Sequence, residues 1–515
     1  MSSHQDSCQN HAPLLQQLQM LANQSRAAFH TPGHKQGQGS PIAVVELLRQ
    51  GLRADLPELP ELDNLFTPAG VIAEAQHLAA QTFGADRTWF LANGSTCGIE
   101  AAVLATCNPG DRLILPRNVH QSVIAALILS GAIPVWLPPV YDLEWGLVGF
   151  PTPKAVRQAL ETYPEAKAVL LVSPTYEGIS GDLASIAAIV HQFGIPLLVD
   201  EAHGAHLGFH PDLPASALAS GADLAIQSTH KTLSALTQAA MLHLRGDRIN
   251  PIRLSRALQL VQSTSPNYLL LASLDGARQQ MAVEGQDLMQ QALDRSDRAR
   301  QALSQMVGLR VLSIEAVQAA GLGTSLDPTR LTINVSGLGL TGFAADEILH
   351  QQLGVTVELP ALHHVTCIVT AGNSDADIDR LIQACQQLSQ IAHPGSPNLQ
   401  ANASQAQAGS IATPPFQPAQ PMIKLQSIPI LETISIPDCS PRTAFFAASQ
   451  VRPIETAIGH LSGELICPYP PGIPVLLPGE PITGEAVRYL QQVLASGGMV
   501  TGCADPSLAT LQVLC

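Results

Sequence analysis

The chain has 515 residues, 46% apolar and only 13% charged, enough for roughly three folded units and too apolar for a mainly disordered protein. Lys and Arg number 26 against 41 Asp and Glu, a formal net charge of −15, and aromatics make up only 4%. That balance argues against a nucleic-acid partner, because phosphate binding needs clustered cations and stacked bases need aromatic platforms.

Val123 to Leu137 is the richest apolar stretch, and Ser130, Gly131 and Pro134 interrupt it, so no membrane span is expected. The opening residues lack a basic segment followed by an apolar run and do not read as a signal peptide. Nine cysteines without CxxC pairs read as reduced thiols in a cytoplasmic protein, and no zinc spacing is present. From Arg87 to Leu244, the runs RTWFL, DRLILP, IPVWLP, AKAVLLV, IPLLVD, ADLAIQ and AAMLHL read as strands. Between them, Thr96–Cys107, Gln121–Ser130, Thr152–Tyr163 and Leu183–Phe193 read as helices. Val, Ile and Leu without alternation suit strands buried on both faces, so the class is α/β with a mostly parallel sheet. Asp275–Met306 predicts a long helix, and LTINVS alternates like a half-buried strand. Helices at Phe343–Leu353 and Ser374–Ile391 and a strand at His364–Thr370 complete a smaller α+β unit.

These patterns divide the chain into an N-terminal helical segment (1–68), a large α/β domain (69–274) and a small α+β domain (275–392). A Gln-, Ala-, Pro- and Ser-rich stretch, 393–421, reads as a flexible linker. A loop-rich C-terminal α+β domain (422–515) follows.

Three polar clusters fall at the carboxyl ends of predicted strands, where parallel sheets bind ligands. They are Asn93–Gly98 with Ser95 and Thr96, Asp200 to His203, and Ser228 to Lys231. Ser95 and Thr96 open a helix, whose free N–H groups favour a phosphate. Asp200 suits a protonated ring nitrogen, because an adjacent opposite charge favours the charged form. Lys231 suits condensation with an aldehyde, and His120, at another strand end, suits stacking on a ring. Together these are the requirements of pyridoxal phosphate. Each alone is ordinary: a strand-end Asp or a Ser-Thr pair is usually a cap, and a lone Lys is usually solvated. Their shared placement makes the ordinary explanation less attractive.

The stretches FHTPGHKQG, FLANGSTCGI, PGDRLILPRNVHQSV, SPTYEGISGDL and PLLVDEAHGAHLGFH resemble the bacterial Orn/Lys/Arg decarboxylases. So do IQSTHKTLSALTQAAMLHLRG, TSPNYLLLASLDGAR and SGELICPYPPGIPVLLPGE. That resemblance implies an aspartate aminotransferase-like, fold-type I enzyme using pyridoxal 5′-phosphate. It implies Lys231 as the lysine joined to the cofactor, Asp200 at its ring nitrogen and His120 stacked on its ring. Ser95, Thr96, Ser228 and His230 fall around the phosphate, Ala202 beneath the ring and His203 beside it. Glu464, Asp63, Thr264 and Ser265 are implied near the substrate or a neighbouring subunit. Family members often carry paired Asp and paired His where this chain has LDNLFTP (62–68), which puts substrate choice in question. The chain also resembles the compact type without an N-terminal wing domain.

The expected function is decarboxylation of a basic amino acid, arginine first and then lysine or ornithine, to the polyamine-type product, by a homodimer or higher oligomer. An aminotransferase or other fold-type I enzyme remains the alternative, and a non-catalytic regulator or an NAD-binding enzyme lies further off. The last rests on GLGLTG (337–342), which fits G-x-G-x-x-G and is followed by Glu358 at the end of the next strand.

Overall fold

The structure, a computed structural model, describes residues 9–391, 434–469 and 473–515. The linker expected over 393–421 lies outside the described residues.

Seven strands build the central sheet: β1 (Arg87–Leu91), β2 (Arg112–Pro116), β3 (Ile133–Leu137), β4 (Ala168–Val172), β5 (Leu197–Asp200), β6 (Leu224–Gln227) and β7 (Ala240–Leu244). Their order across the sheet is β1-β7-β6-β5-β4-β2-β3. Neighbours from β6 to β3 run parallel, and β7 runs antiparallel to both β6 and β1. Helices α1 (Val71–Phe83), α2 (Gly94–Thr106), α3 (Gln121–Ser130), α4 (Pro153–Thr162) and α5 (Leu183–Gln192) belong to this unit. Along β2, Leu113 and Leu115 join the core shared with α2 and α3, while Ile114 joins the core shared with α4 and α5. Burial on both faces explains the unbroken apolar runs. Thr152 and Asp182 cap α4 and α5 through their side chains, and Gly131, at φ +72°, ends α3.

A 37-residue helix, α6 (Tyr268–Ser304), crosses position 275, so the large and small units share one continuous helix there. It starts two turns earlier than the pattern predicts, because Asn267 Oδ1 accepts from the Leu269 and Leu270 amides. The small unit holds a four-stranded sheet of β8 (Arg310–Val311), β9 (Arg330–Asn334), β10 (Leu359–Pro360) and β11 (His364–Ile368), in the order β8-β9-β11-β10. All its pairings are antiparallel. Helices α7 (Gly342–Gln351) and α8 (Asp375–Ile391) complete this unit.

Two expectations change here. Strand β9 is buried along its whole length, not on one face alone. Its polar residues Arg330, Thr332 and Asn334 face protein, with Thr332 and Thr366 hydroxyls 3.1 Å apart. The GLGLTG stretch follows an antiparallel strand, so it opens no βαβ dinucleotide unit. Its glycines allow close approach: a Cβ on Gly337 would sit 2.6 Å from Gly308 O. The C-terminal unit pairs β12 (Ser449–Pro453) with β15 (Thr510–Leu514) and β13 (Cys467–Tyr469) with β14 (Met499–Thr501). Among the described residues, no helix is long and apolar enough to cross a membrane.

Candidate active site

Asp200 ends β5, and the single helical turn Thr229–Thr232 after β6 carries Lys231. These strands are neighbours, with Asp200 paired to Ile226, so both side chains emerge at one end of the sheet. Lys231 Nζ lies 2.9 Å from His203 Nε2 and 5.6 Å from the centre of the Tyr176 ring. The Tyr176 and His203 rings are 4.5 Å apart. Burial depresses the Lys231 pKa, Asp200 and Glu358 work against that, and Arg330 adds to it. Burial also pushes His203 well below its ordinary value, with help from Lys231 and Arg330. When Lys231 is charged it has only donors, so His203 Nε2 accepts. His203 Nδ1 is then buried without a partner.

Asp200 is 5% exposed, and its Oδ1 accepts from the Ala202 amide at 3.1 Å. Among the described residues it has no ion-pair partner within 4.0 Å. Burial raises its pKa, and His120 and Lys231 hold it down. His120 precedes α3 as its cap: Nδ1 accepts from the Ser122 amide at 3.2 Å, so the neutral ring carries its proton on Nε2. Burial lowers the His120 pKa, against the pull of Asp200.

The opposite end of the cluster suits a phosphate. Gly94, at φ +74°, turns the chain from β1 into α2. No side chain caps the N-terminus of α2, so its first amides stay open to an anion. Ser228 Oγ donates to Ser95 Oγ at 2.8 Å, which brings the β6 end onto this helix start. Thr96 is exposed on the same turn, and His230 Nδ1 lies 3.0 Å from Ala239 O, half-buried. A buried carboxylate without an ion pair, a desolvated lysine and an uncapped helix start together fit pyridoxal phosphate. Asp200 would meet its ring nitrogen, His120 its ring face, Lys231 its aldehyde carbon, and Ser95, Ser228 and the α2 amides its phosphate. Small Ala202 would leave room beneath the ring.

The small unit contributes residues that sequence reading missed. Arg330 is fully buried, and its Nη2 donates to His203 O at 2.8 Å. Its Nε lies 3.8 Å from Asp327 Oδ2, which is 2.9 Å from His206 Nε2. Burial works to raise the Asp327 pKa, but His206, Arg330 and Thr329 hold it well below the carboxylate range. Glu358 is exposed, and its charge reaches both Lys231 and Arg330. Sequence reading set Glu358 at the close of a strand, whereas it immediately precedes β10, and Arg330 lay one residue before the strand read at 331–336 and gave no signal.

Two expected carboxylates are bound by the protein's own backbone. Asp63 is a helix cap: its carboxylate accepts from the amides of Asn64, Ala69, Gly70, Ile72 and Ala73, at the start of α1. Burial would raise its pKa, and these backbone bonds bring it below the usual value. Glu464 is likewise spent, its two oxygens accepting from the Ala504 and Gln512 amides at 2.7 and 2.9 Å within the C-terminal unit. Both carboxylates thus hold backbone of their own units in place. Thr264 and Ser265 are exposed, beside Ser263, whose amide donates to Asn93 Oδ1 at 3.2 Å near the phosphate end.

The model of the Orn/Lys/Arg decarboxylase major domain matches residues 12–377, and that of the family's C-terminal domain matches residues 436–504. The arginine decarboxylase of Bacillus subtilis is 37% identical over 507 residues, covering 98% of each chain. That of Bacillus anthracis is 37% identical over 511 residues, again covering 98% of each. In fold, lysine decarboxylase A of Pseudomonas aeruginosa superposes with a TM-score of 0.81 at 23% identity, over 99% of this chain and 81% of the other. The architecture is that of the fold-type I enzymes, and the family depends on pyridoxal phosphate. With both of its domain models matched in order, and full-length relatives sharing more than a third of its residues, this chain belongs to the Orn/Lys/Arg decarboxylase family.

Proposed function

We propose that the chain decarboxylates L-arginine to agmatine, using Lys231, Asp200, His120 and His203 as its working side chains. The observation that carries the choice of arginine is the 37% identity to the Bacillus subtilis arginine decarboxylase over 98% of both chains, against 26% to the Pseudomonas aeruginosa lysine decarboxylase. Pyridoxal phosphate, when bound, supplies the sink for the electron pair left on Cα as CO2 departs. The chain's residues do the rest. Asp200 keeps a negative charge facing the ring nitrogen, in a site dry enough for one charge to count. His120 covers one side of the site and presents Nε2–H. Lys231 Nζ, lowered in pKa by burial, exchanges with the substrate amine and then holds the proton returned to Cα. His203 Nε2, 2.9 Å away, relays that proton. Exposed Glu358 gives the site entrance a negative charge that draws the substrate's distal cation.

The working unit is a homodimer or larger. Helix Ile42–Leu48 buries none of its residues, and Ile42 and Leu47 are 77% and 80% exposed, an apolar face suited to a second copy. Thr264 and Ser265 stand exposed where a neighbouring subunit would meet the phosphate end. The eight described cysteines are free, in keeping with a cytoplasmic, polyamine-forming enzyme. Incubation with arginine, lysine and ornithine, with CO2, amine and keto acid measured separately, tests the reading. Agmatine and CO2 in equal amounts are expected. Keto acid without CO2 would move the assignment to an aminotransferase.

A further inference from the structure

A cavity of about 150 Å³ lies at the carboxyl ends of β2, β3 and β4, beside the Lys231 cluster. Val148, Val172 and Leu359 give it apolar walls, and Tyr176 lines it as well as packing on His203. Tyr141 and Tyr489 also line it, and two further polar groups there are acceptors left without a donor. Asn118 Oδ1 is buried without a partner. His364 is 1% exposed, and its Nδ1 donates to Trp145 O at 3.2 Å, so Nε2 is a bare lone pair, also without a partner. Burial holds the His364 pKa down to about 4, so the ring stays neutral. Glu177 adds a carboxyl group, pushed up in pKa by burial and hydrogen-bonded to Thr175. Arg117 also lines the cavity, but its guanidinium is committed to Glu480 at 2.7 Å and to the Pro474 and Val475 carbonyls.

Buried acceptors without donors are costly. A ligand that repays the cost must present N–H groups and an apolar stem. We propose that this cavity binds an aliphatic cation, an alkylammonium or alkylguanidinium, with Glu177 as counter-ion and Asn118 and His364 as acceptors. Two sources share this chemistry: the tail of the substrate reaching past Tyr176, and a free amine of the product type. The site rests on the basic amino acid reading only for the choice of probes.

The test uses the cofactor-loaded full chain with Glu177→Gln and with Val148→Phe, which narrows the cavity and leaves Asn118, Glu177 and His364 unchanged. Calorimetry with 1,4-diaminobutane and the KM for arginine are the two readouts, after circular dichroism has shown that each variant folds. A free-amine site predicts on the order of tenfold weaker 1,4-diaminobutane binding with KM unchanged. A tail site predicts a KM raised by a similar factor. Variants that fold, bind 1,4-diaminobutane and take arginine like the wild type would overturn the proposal. If Glu177→Gln does not fold, Val148→Phe alone decides by the same criteria. Indifference to both variants in an enzyme that decarboxylates arginine would sink the cavity site and leave the function standing. Glu177-dependent amine binding in a protein that decarboxylates no basic amino acid would do the reverse.

Discussion

Replacing Arg330 with Met should cost the protein both stability and the pH range in which Lys231 works. The guanidinium is wholly buried, donates to His203 O at 2.8 Å and stands 3.8 Å from Asp327. Removing one partner of a buried ion pair costs about 3–5 kcal/mol, and a stranded carbonyl adds about 1–3 kcal/mol. Asp327 keeps His206 and Thr329, at 2.9 and 2.7 Å, so the total should fall near the lower bound, about 3–4 kcal/mol. For a chain of this size, that is a drop of about 3–4 °C in thermal midpoint. The chemistry should move as well. The positive charge of Arg330 helps depress Lys231, so without it the pKa of the cofactor-free amine rises and the acid limb of the rate of pyridoxal phosphate capture shifts to higher pH. Arg330→Lys keeps the charge and loses the fork, so it should restore the limb more fully than the stability. Calorimetric scans and a pH–rate profile check both effects. A Met variant within about 0.5 kcal/mol of wild type, with a superimposable profile, would refute the role given to Arg330.

Other outcomes follow from the same geometry. Ser228→Ala should weaken pyridoxal phosphate binding about tenfold or more, read by fluorescence titration, since a charge-assisted hydrogen bond at the phosphate is lost. Asp63→Ala should lower stability by about 1–2 kcal/mol in urea unfolding and leave the KM for arginine within about twofold, because the residue caps α1. Glu201, buried against Gln227 and the Ala217 amide, has its pKa raised by burial from 4.5 to about 7. The folded state therefore favours its protonated form, so this contribution is complete below about pH 4.5 and is lost as pH climbs toward 7, a swing of about 3 kcal/mol. Glu201→Gln should flatten that part of the stability–pH curve, and parallel curves for the two proteins would contradict it.

The central sheet was legible because its strands are buried on both faces and leave long apolar runs, from RTWFL to AAMLHL. Lys231, Asp200 and His120 were singled out by shared placement: each alone would read as a cap or a solvated charge, but all three follow strands at one end of the sheet, where the charges of His120 and Lys231 reach Asp200. What stayed hidden depended on contacts distant in sequence. Alternation in β9 read as a solvent face, whereas the polar side turns inward and Arg330 reaches His203, 127 positions away. Asp63 and Glu464 looked like free carboxylates because the backbone amides that occupy them come from turns no residue pattern announces. The helix α6 hid its first two turns behind the apolar run YLLLASL, and only the Asn267 cap fixes where it starts.

Everything proposed for this site depends on Lys231 being the residue that pyridoxal phosphate joins. Sodium borohydride reduction of the cofactor-loaded protein, followed by peptide mass mapping, measures this directly. The account predicts one pyridoxyl phosphate per chain, on the peptide containing Lys231. A label on a different lysine, or a fully loaded protein with Lys231 unmodified, would contradict it.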